Sequence, residues 1–403
     1  MAAGFSAAGY TVVPFVAPAD AVVIHGCAIT HKAERDSLRL ARQARRAAST
    51  PIVVVTGCTA EVLGDALRGT DTADLVVGQA GKFAIPALLH RIHPHRFPPP
   101  TTIAPADAGP PQFDTTRALV KVQDGCDFRC AYCIVPAARG APVSRPLGEV
   151  VEEIRRLADA GFKEIVLTGA NLGCYGNGPR SLVDLVGQAE SVPGIERIRL
   201  SSIELTTAEQ PIVDHMAQSS KLCHFLHVPL QSGDDRILAA MGRRYTAAQY
   251  RAAVEYAVAK VPDLGLGTDI IVGFPSEDDR AFASTVRTVE DLPFGNVHVF
   301  SYSRRPGTRA ADLADPVPES IKKARTAALL ALASRKRAEF AARFVGKPVS
   351  VLVERVDAAG IGHGWTGQYV EAEITAPALR PNQLVTFTVA RVDGAKVVGT
   401  AAG

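Results

Sequence analysis

The chain lacks any run of about 18 apolar residues, so a membrane-spanning helix is not expected. Its opening residues, MAAGFSAAGYTVVPF, lack the positively charged segment and the long apolar segment of a secretory signal. Cysteine is scarce and odd in number, at 7 of 403 residues, which argues against a disulfide framework and indicates a reducing compartment. These absences predict a cytoplasmic protein.

An excess of charge of one sign is also lacking. The chain has 44 Lys and Arg against 41 Asp and Glu, a net charge of +3, which permits a nucleic-acid partner without favouring one. Hydrophobic residues make up 47% of the chain and charged residues 21%, a globular balance that suffices for a sizeable core. At 403 residues, two or three domains are expected.

Three of the cysteines stand close together in the segment QDGCDFRCAYCIVPAARG. Three residues separate Cys126 from Cys130, and two separate Cys130 from Cys133. Iron–sulfur clusters are held by cysteine thiolates, usually four, so three ligands leave one iron open to bind another group. The alternative is a zinc site, but zinc sites favour a second cysteine pair further on, and none follows within 40 residues. The spacing therefore favours an iron–sulfur cluster.

This Cys-x3-Cys-x2-Cys loop, placed directly after a predicted strand, resembles the radical S-adenosylmethionine superfamily. Tyr132, immediately before the last cysteine, fits the same pattern. The resemblance implies that Cys126, Cys130 and Cys133 hold a reducing [4Fe-4S] cluster and act in catalysis. It also implies that the open iron binds S-adenosylmethionine through its amino and carboxylate groups.

The first hundred residues contain short β-branched runs and one helical pattern. We predict strands over Thr11–Val16, Ala21–Ile24, Ile52–Thr56 and Leu75–Val77, and a helix over Lys32–Ala48. The alternation indicates a parallel sheet, in which ligands bind beyond the carboxyl ends of the strands. Cys27 and Cys58 each follow such an end and each come after a glycine. One such cysteine is usually only packed in a core, but two at matching positions suggest a second metal site.

The segments HGCAIT around Cys27 and VTGCTAE around Cys58 resemble those of the methylthiotransferase family. In that family three N-terminal cysteines hold a second [4Fe-4S] cluster, so the resemblance assigns Cys27 and Cys58 to it. The family's remaining cysteine lies in a Gly-Cys-x-x-Asn segment that would precede Met1. Three explanations stay open: the start site is assigned too late, the ligand has been lost, or Cys174 substitutes for it.

The segment from His93 to Gln112 is rich in proline and is predicted to be an extended linker. After it, strands alternate with helices, which predicts a partial (βα)6 barrel with functional groups at the carboxyl ends of its strands. The predicted strands are Ala118–Val122, Glu164–Thr168, Ile198–Ser201, Phe225–Val228, Leu266–Val272 and Val297–Phe300.

Polar groups follow most of these strands. Each one alone could be a strand-capping turn, but their repetition around one rim favours a cofactor site. Arg243 could hold a carboxylate through charge-assisted hydrogen bonds. The residues predicted to contact S-adenosylmethionine are Thr168, Gly169, Ser201, Ser202, Glu204, Gln231, Arg243 and Asp269.

The segments HVPLQSGDDRILAAMGRRYT, TDIIVGFPSEDDRAF and HVFSYSRRPGTRA also resemble the methylthiotransferases, although Ser276 replaces a glycine usual there. The segment RLSSIE, ending at Glu204, resembles the MtaB branch, which acts on threonylcarbamoyladenosine in tRNA. The branches acting on isopentenyladenosine in tRNA and on a ribosomal protein carry other residues there.

A long helical pattern over Ser320–Arg343 leads to a tail of short strands. We predict strands over Val349–Val353, Val370–Ile374, Leu384–Val389 and Ala395–Gly399, with turns at Gly362, Gly364 and Gly367. This indicates a small antiparallel β-barrel of the OB type. The segment GWTGQY resembles the TRAM domain, in which Trp365 and Tyr369 would stack on RNA bases. The alternative is that these two rings pack in the barrel core.

The resemblance covers nearly the whole chain. It implies a methylthiotransferase N-terminal domain (1–95), a linker (96–114), a radical S-adenosylmethionine barrel (115–343) and a TRAM domain (344–403). The implied reaction adds a methylthio group to threonylcarbamoyladenosine in tRNA, with a second cluster as sulfur source and flavodoxin or ferredoxin as electron donor. The alternatives are a sister enzyme with another substrate and a non-catalytic tRNA-binding remnant.

Overall fold

The computed structural model of the chain describes residues 1–100, 116–176, 181–204, 209–314 and 316–401. Most of the predicted linker, residues 101–114, lies outside the described residues. The described residues form two units. The first contains residues of Met1–Gln112, Tyr132–Gly140 and Ser303–Ala311, and the second contains residues of Phe113–Ala131, Ala141–Tyr302 and Asp312–Gly403.

A three-stranded parallel sheet in the order β1-β2-β3 forms the centre of the first unit. Strand β2 is buried from Val53 onward, which explains its nearly unbroken β-branched sequence. The elements are α1 (Ala2–Ala7), β1 (Ala21–Gly26), α2 (His31–Arg45), β2 (Ile52–Gly57), α3 (Cys58–Leu67), β3 (Leu75–Val77), α4 (Ile85–Ile92) and α5 (Val135–Arg139). The predicted parallel sheet is confirmed.

The strand predicted over Thr11–Val16 is wrong. The segment forms no strand, and its apolar side chains are exposed, by 88% at Val16. Pro14 interrupts the β-branched run, and its carbonyl accepts a hydrogen bond from the Ala17 N–H at 2.9 Å, which closes a turn. A proline within a short run removes a donor that a sheet would need, so the run does not pair.

The second unit begins with alternating strands and helices. These are β4 (Arg117–Lys121), β5 (Gln123–Asp124), β6 (Val143–Ser144), α6 (Leu147–Asp159), β7 (Glu164–Thr168), α7 (Ser181–Glu190), β8 (Arg197–Leu200), α8 (Glu209–Met216), β9 (Phe225–His227), α9 (Asp235–Ala240), α10 (Ala247–Lys260), β10 (Gly265–Val272), α11 (Asp279–Asp291), β11 (Asn296–Ser301) and α12 (Glu319–Ala342).

The six predicted barrel strands are confirmed, and each end lies within one residue of its predicted position. They form two parallel sheets, in the orders β4-β7-β8 and β9-β10-β11. A parallel bridge between Ile198 and Leu222 continues the first sheet towards the second. This arc of six parallel strands is the expected partial barrel, and it brings the carboxyl ends of the strands to one rim.

A closed five-stranded barrel follows, in the order β12-β13-β14-β16-β15. Its strands are β12 (Pro348–Val356), β13 (Gly362–Thr366), β14 (Glu371–Thr375), β15 (Gln383–Asp393) and β16 (Lys396–Thr400). The small β-barrel is therefore confirmed, although β14 and β16 pair in parallel rather than antiparallel.

Strand β13 was not predicted, because its glycines indicate turns. Gly364 instead pairs with Val353 and Ala372 in the middle of the sheet. A Cβ at Gly364 would lie 1.8 Å from the carbonyl oxygen of Leu352, so glycine is required there by close packing. Gly367 lies in a turn, as predicted.

A buried ionic network joins the central strands to this barrel within the second unit. The fully buried Glu164 accepts hydrogen bonds from Arg197 at 3.2 Å and from Arg199 at 2.9 Å. The same guanidinium groups donate to backbone carbonyls of the C-terminal barrel: Arg197 to Trp365 at 3.1 Å, and Arg199 to Thr366 at 3.0 Å. These contacts fix the C-terminal barrel at the amino ends of β7 and β8.

In the part of the chain that the structure describes, no helix combines the length and the apolar character needed to cross a bilayer.

The Gly364→Ala variant tests the packing of β13. Because its methyl group meets a backbone carbonyl that cannot move alone, we expect a loss of about 1–3 kcal/mol of unfolding free energy and a lower Tm. Gly367→Ala is the matched control, because no atom lies within 4 Å of the added Cβ. Thermal and urea unfolding measure both variants, and equal stability of the two would contradict the packing argument.

Candidate active site

The cysteine loop is held at both ends by specific contacts. At its start, the side-chain amide of Gln123 donates to the carbonyls of Asp124 and Gly125, at 3.0 and 2.7 Å. Further along, the Ala131 N–H donates to the carbonyl of Met241 at 2.8 Å. Between these anchors the loop has no regular secondary structure. Its path therefore depends on contacts with the strand ends around it.

The structure places Cys126 and Cys130 in the second unit and Cys133 in the first. None of the three forms a disulfide within the described residues, and all three are partly exposed. The Phe128 N–H donates to the Cys126 sulfur at 3.4 Å. Backbone donors to sulfur are typical of cluster-binding loops, where they tune the cluster's potential.

Arg243 links two residues that the sequence analysis singled out, Cys130 and Glu204. One of its Nη atoms lies 3.3 Å from the Cys130 sulfur, and the other forms an ion pair with Glu204. Its Nε donates to the Tyr245 hydroxyl at 3.0 Å. The carboxylate that Arg243 was predicted to hold is thus, in this structure, the one on Glu204.

The environment of Cys126 matches a cation-binding loop. Burial raises the pKa of its thiol, the nearby Cys130, Asp127 and Glu204 raise it further, and the Phe128 N–H opposes them. A bound cation would relieve this crowding of thiolate and carboxylate groups. Thiolates are also the ligands that hold iron–sulfur clusters in proteins. The residues present therefore fit a [4Fe-4S] cluster.

Buried polar atoms without hydrogen-bond partners occur at the carboxyl ends of three strands. In the part of the chain that the structure describes, no partner hydrogen-bonds the side-chain amide of Asn171 after β7, the hydroxyl of Ser201 after β8, or Oε1 of Gln231 after β9. Asn171 is only 2% exposed and Gln231 only 8%. Since buried polar groups are normally hydrogen-bonded, these three are suited to bind a polar cofactor. Asn171 was missed by the sequence analysis.

The other predicted cofactor residues near β7 and β8 have different surroundings. The Thr168 hydroxyl lies 3.4 Å from the Val120 carbonyl. A Cβ at Gly169 would lie 2.8 Å from Oε1 of Gln123, so this glycine gives space to Gln123. Ser202 is exposed. Their predicted contact with S-adenosylmethionine stays a prediction.

Asp269 lies between two histidines that sequence reasoning did not single out. Its Oδ1 is 3.0 Å from Nε2 of His227 and 3.3 Å from Nδ1 of His298. Burial tends to raise the pKa of Asp269, but the hydrogen bonds and charges of the two imidazoles hold it well below its ordinary value. The three residues come from β9, β10 and β11, so only the sheet register brings them together.

Cys27 and Cys58 follow neighbouring strands at the same level of the sheet. Gly26 and Gly57 are paired in register, so the two cysteines come directly after matched positions of β1 and β2. A Cβ at Gly57 would lie 2.6 Å from the Gly26 carbonyl, so glycine allows this close approach. The Cys58 sulfur lies 3.4 Å from Nε of Arg139. Cys174 belongs to the second unit, and burial raises the pKa of its thiol to about 11.

The two aromatic residues predicted to bind RNA contact the protein itself. Trp365 stacks on Tyr369 with ring centroids 4.7 Å apart. Tyr369 also packs against Phe225 at 4.8 Å and lies 4.9 Å from the Arg199 guanidinium. Both side chains remain partly exposed. Their role in stacking on bases stays a prediction.

Two family models match the sequence. That of the Radical SAM superfamily covers residues 120–289, and that of an uncharacterized protein family, UPF0004, covers residues 1–78. Among solved structures, the radical S-adenosylmethionine methyltransferase TsrM from Kitasatospora setae matches with a TM-score of 0.52 and 15% identity, over 72% of this chain and 65% of that one. At this identity the likeness concerns the fold.

Curated relatives match over most of their length. The threonylcarbamoyladenosine tRNA methylthiotransferase MtaB of Thermotoga maritima is 35% identical, over 93% of this chain and 87% of that protein. The MtaB of Aquifex aeolicus is 36% identical, over 86% of each. A tRNA-2-methylthio-N(6)-dimethylallyladenosine synthase of Stutzerimonas stutzeri is also 36% identical, over 84% of this chain and 79% of that protein.

The partial barrel, its cysteine loop and the matching family model define a radical S-adenosylmethionine enzyme. With relatives this similar over this much of their length, the chain belongs to the methylthiotransferase family that includes MtaB. It is therefore an enzyme that transfers sulfur-containing groups, and its radical domain implies a [4Fe-4S] cluster and S-adenosylmethionine.

Replacing Cys126, Cys130 or Cys133 by alanine tests the cluster assignment. Since three thiolates are the minimum for this cluster, each variant should lose about four iron atoms per chain after anaerobic reconstitution and should form no 5′-deoxyadenosine. Cys223→Ala is the control, because this buried cysteine precedes the amino end of β9. Unchanged iron content in the loop variants, or zinc in place of iron in active protein, would contradict the assignment.

Proposed function

We propose that this enzyme converts threonylcarbamoyladenosine beside the anticodon of tRNA to its 2-methylthio derivative, in the cytoplasm. The observation that carries the proposal is the similarity to MtaB proteins, which are 35% and 36% identical over at least 86% of their length. The segment RLSSIE, which resembles the MtaB branch, supports the same substrate. In the structure this segment ends at Glu204, whose carboxylate pairs with Arg243.

The reaction explains the choice of cofactor. Carbon 2 of adenine carries a C–H bond without an acidic proton or a leaving group, so acid–base catalysis alone cannot replace its hydrogen. When bound by Cys126, Cys130 and Cys133, the [4Fe-4S] cluster with S-adenosylmethionine supplies a radical able to abstract hydrogen. The protein has to bind the two reactants and orient them against each other.

The residues of the barrel rim supply that binding. Arg243 positions Cys130 and Glu204 together, because its guanidinium contacts both. The unpartnered groups of Asn171, Ser201 and Gln231 are suited to hydrogen-bond the polar parts of S-adenosylmethionine. Thr168, Gly169, Ser202 and Asp269 remain candidates for the same cofactor. The burial of Asn171 and Gln231 also keeps water away from the reacting atoms.

The second cluster is part of the proposal. Cys27 and Cys58 would bind it and so provide the sulfur that is transferred, and a second S-adenosylmethionine would provide the methyl group. The paired positions of the two cysteines and the donor from Arg139 to Cys58 support this assignment. Within the chain, Cys174 is the candidate for the third ligand.

Iron counting on Cys174→Ala tests whether this cysteine is the third ligand. If Cys174 is a ligand, reconstituted protein loses up to about four iron atoms per chain; if not, iron stays unchanged. We expect unchanged iron, because cysteines that follow a strand end are commonly inert. Cys58→Ala, measured in parallel, shows the loss that a true ligand gives, and an equal loss in Cys174→Ala would contradict the expectation.

The partners follow from the same reaction. The substrate is tRNA, and the electron that reduces the cluster would come from a small carrier such as flavodoxin or ferredoxin. The C-terminal barrel is the candidate tRNA-binding domain, with Trp365 and Tyr369 as stacking residues. Since Tyr369 already packs on Phe225 and Arg199, any base would stack on the outward part of this pair.

A second candidate function is the modification of isopentenyladenosine in tRNA. The observation that favours it is the dimethylallyladenosine synthase that is 36% identical over 84% of this chain. Overall identity therefore does not separate the two substrates. We favour the first because the segment RLSSIE at the end of β8 resembles the MtaB branch.

Nucleoside analysis distinguishes the two functions. We expect the gene, expressed in a bacterial strain without its own MtaB activity, to restore methylthiolated threonylcarbamoyladenosine, detected by mass spectrometry of digested tRNA. Expression of Cys130→Ala should restore none, because one ligand of the reducing cluster is missing. Methylthiolated isopentenyladenosine as the only new product would show that the second function is correct.

A further inference from the structure

His227, Asp269 and His298 form a cluster in which the exposure of the side chains to solvent increases from His227 to His298. The side chain of His227 is 10% exposed, that of Asp269 22%, and that of His298 49%. His298 lies on β11, one of the two edge strands of its three-stranded sheet. His227 packs so closely on β10 that a Cβ at Gly267 would lie 2.5 Å from its Nδ1. The cluster is therefore fixed at its inner end and open at its outer end.

The three side chains lie on the face of the sheet opposite the helices. Thr268, next to Asp269, lies 3.2 Å from the hydroxyl of Tyr250 on α10, so Thr268 faces the helices. Side chains alternate along a strand, so Asp269 faces the inside of the barrel. Val297, beside His298, belongs to the core that packs under the helices. His298 therefore also points to the inner face.

His298 has one ring nitrogen committed and one available. Its Nδ1 lies 3.3 Å from the carboxylate of Asp269. Among the described residues, no hydrogen bond involves its Nε2. In the imidazolium form both nitrogens carry protons, so His298 can donate to Asp269 and to a ligand at the same time. The ligand that matches such a donor is an anion, above all a carboxylate.

The geometry points to a carboxylate-binding site: we propose that His298, oriented by Asp269 and His227, binds the threonyl carboxylate of the substrate. This inference rests on the proposed function, because threonylcarbamoyladenosine carries that carboxylate and isopentenyladenosine carries an apolar group instead. His298 would thus select between the two candidate substrates. Asp269 and His227 are positioning residues, which fix the ring of His298.

Two other occupants use similar chemistry. S-adenosylmethionine also carries a carboxylate, so it is a second source of the same ligand. A divalent metal could be bound by the three side chains themselves, because all their ligand atoms lie within 4.8 Å of one another. The substrate carboxylate is favoured because the imidazole of His298 is 49% exposed, so a group carried by a large RNA substrate can reach it.

The test compares two anticodon stem-loops that differ in one group. One carries threonylcarbamoyladenosine and the other its methyl ester, which lacks the negative charge. For the reconstituted enzyme we expect the ester to bind about ten- to a hundredfold more weakly, the range of a hydrogen bond to a charged group. In His298→Leu the two should bind with a ratio of about one, because the group that senses the charge is gone. Fluorescence anisotropy measures each Kd.

A matched pair of variants separates binding from structure. His298→Asn can still donate to Asp269 but has no atom in the place of Nε2, so we expect its ratio to fall to about one as well. His215→Leu is the control, because it removes a histidine from a similar pair elsewhere in the fold. His215 lies on α8 and is 3.0 Å from Glu190 at the end of α7. Its ratio should equal that of the unaltered enzyme.

Three results would overturn the inference. The first is a ratio in His298→Asn or His298→Leu as large as in the unaltered enzyme. The second is weaker binding of S-adenosylmethionine in His298→Leu without any change in the ratio. The third is one equivalent of zinc, manganese or non-cluster iron that both His298→Leu and His227→Leu remove. A failure of the proposed function can be told apart from a failure of this inference. The first changes the nucleoside product of the unaltered enzyme, whereas the second changes the ratios of the Kd values.

Discussion

One buried cation connects the cysteine loop to the barrel. Arg243 contacts the Cys130 sulfur at 3.3 Å, pairs with Glu204 and donates to Tyr245 at 3.0 Å. Loss of one partner from such a buried pair costs roughly 3–5 kcal/mol, because the remaining charge stays out of water. Cys130 is therefore positioned by the end of β8 and the segment after α9, and the loop needs no secondary structure of its own. A cluster ligand held by the rigid barrel is better placed than one held only by its loop.

The buried polar side chains at the amino ends of β7 and β8 have partners that those after β7 and β9 lack within the described residues. At the amino ends, the buried Glu164 is neutralised by Arg197 and Arg199. At the carboxyl ends, Asn171 and Gln231 keep buried atoms without partners. A buried polar atom left unpaired costs about 1–3 kcal/mol, so a fold keeps such atoms mainly where a ligand satisfies them. The first end thus serves stability and attachment of the C-terminal barrel, and the second serves binding.

Much of the architecture could be predicted because it depends on local pattern. The run VVV from Val53 to Val55 identifies β2, and parallel topology then brings the glycines that precede Cys27 and Cys58 into register. Other features depend on contacts far apart in the chain. His227 and His298 become neighbours only through the register of β9 and β11 on β10, which no local pattern reveals. The strand β13 was missed for a related reason. Its glycines are required by close packing against neighbouring residues of the barrel and not by a turn.

Substrate choice within this family does not follow overall sequence identity. A protein named MtaB and one named for dimethylallyladenosine are equally similar to this chain, at 36% identity. Contacts common to both, such as those to phosphates and to the adenine ring, therefore cannot discriminate. An apolar pocket distinguishes groups by only about 1–3 kcal/mol per methylene, whereas a site built for a polar group rejects an apolar analogue much more strongly, because its own groups are left unpaired. The partly exposed imidazole of His298 on the inner face of the barrel can donate a hydrogen bond to a carboxylate, which is the polar contact that such discrimination needs. Asp269 fixes the orientation of this imidazole.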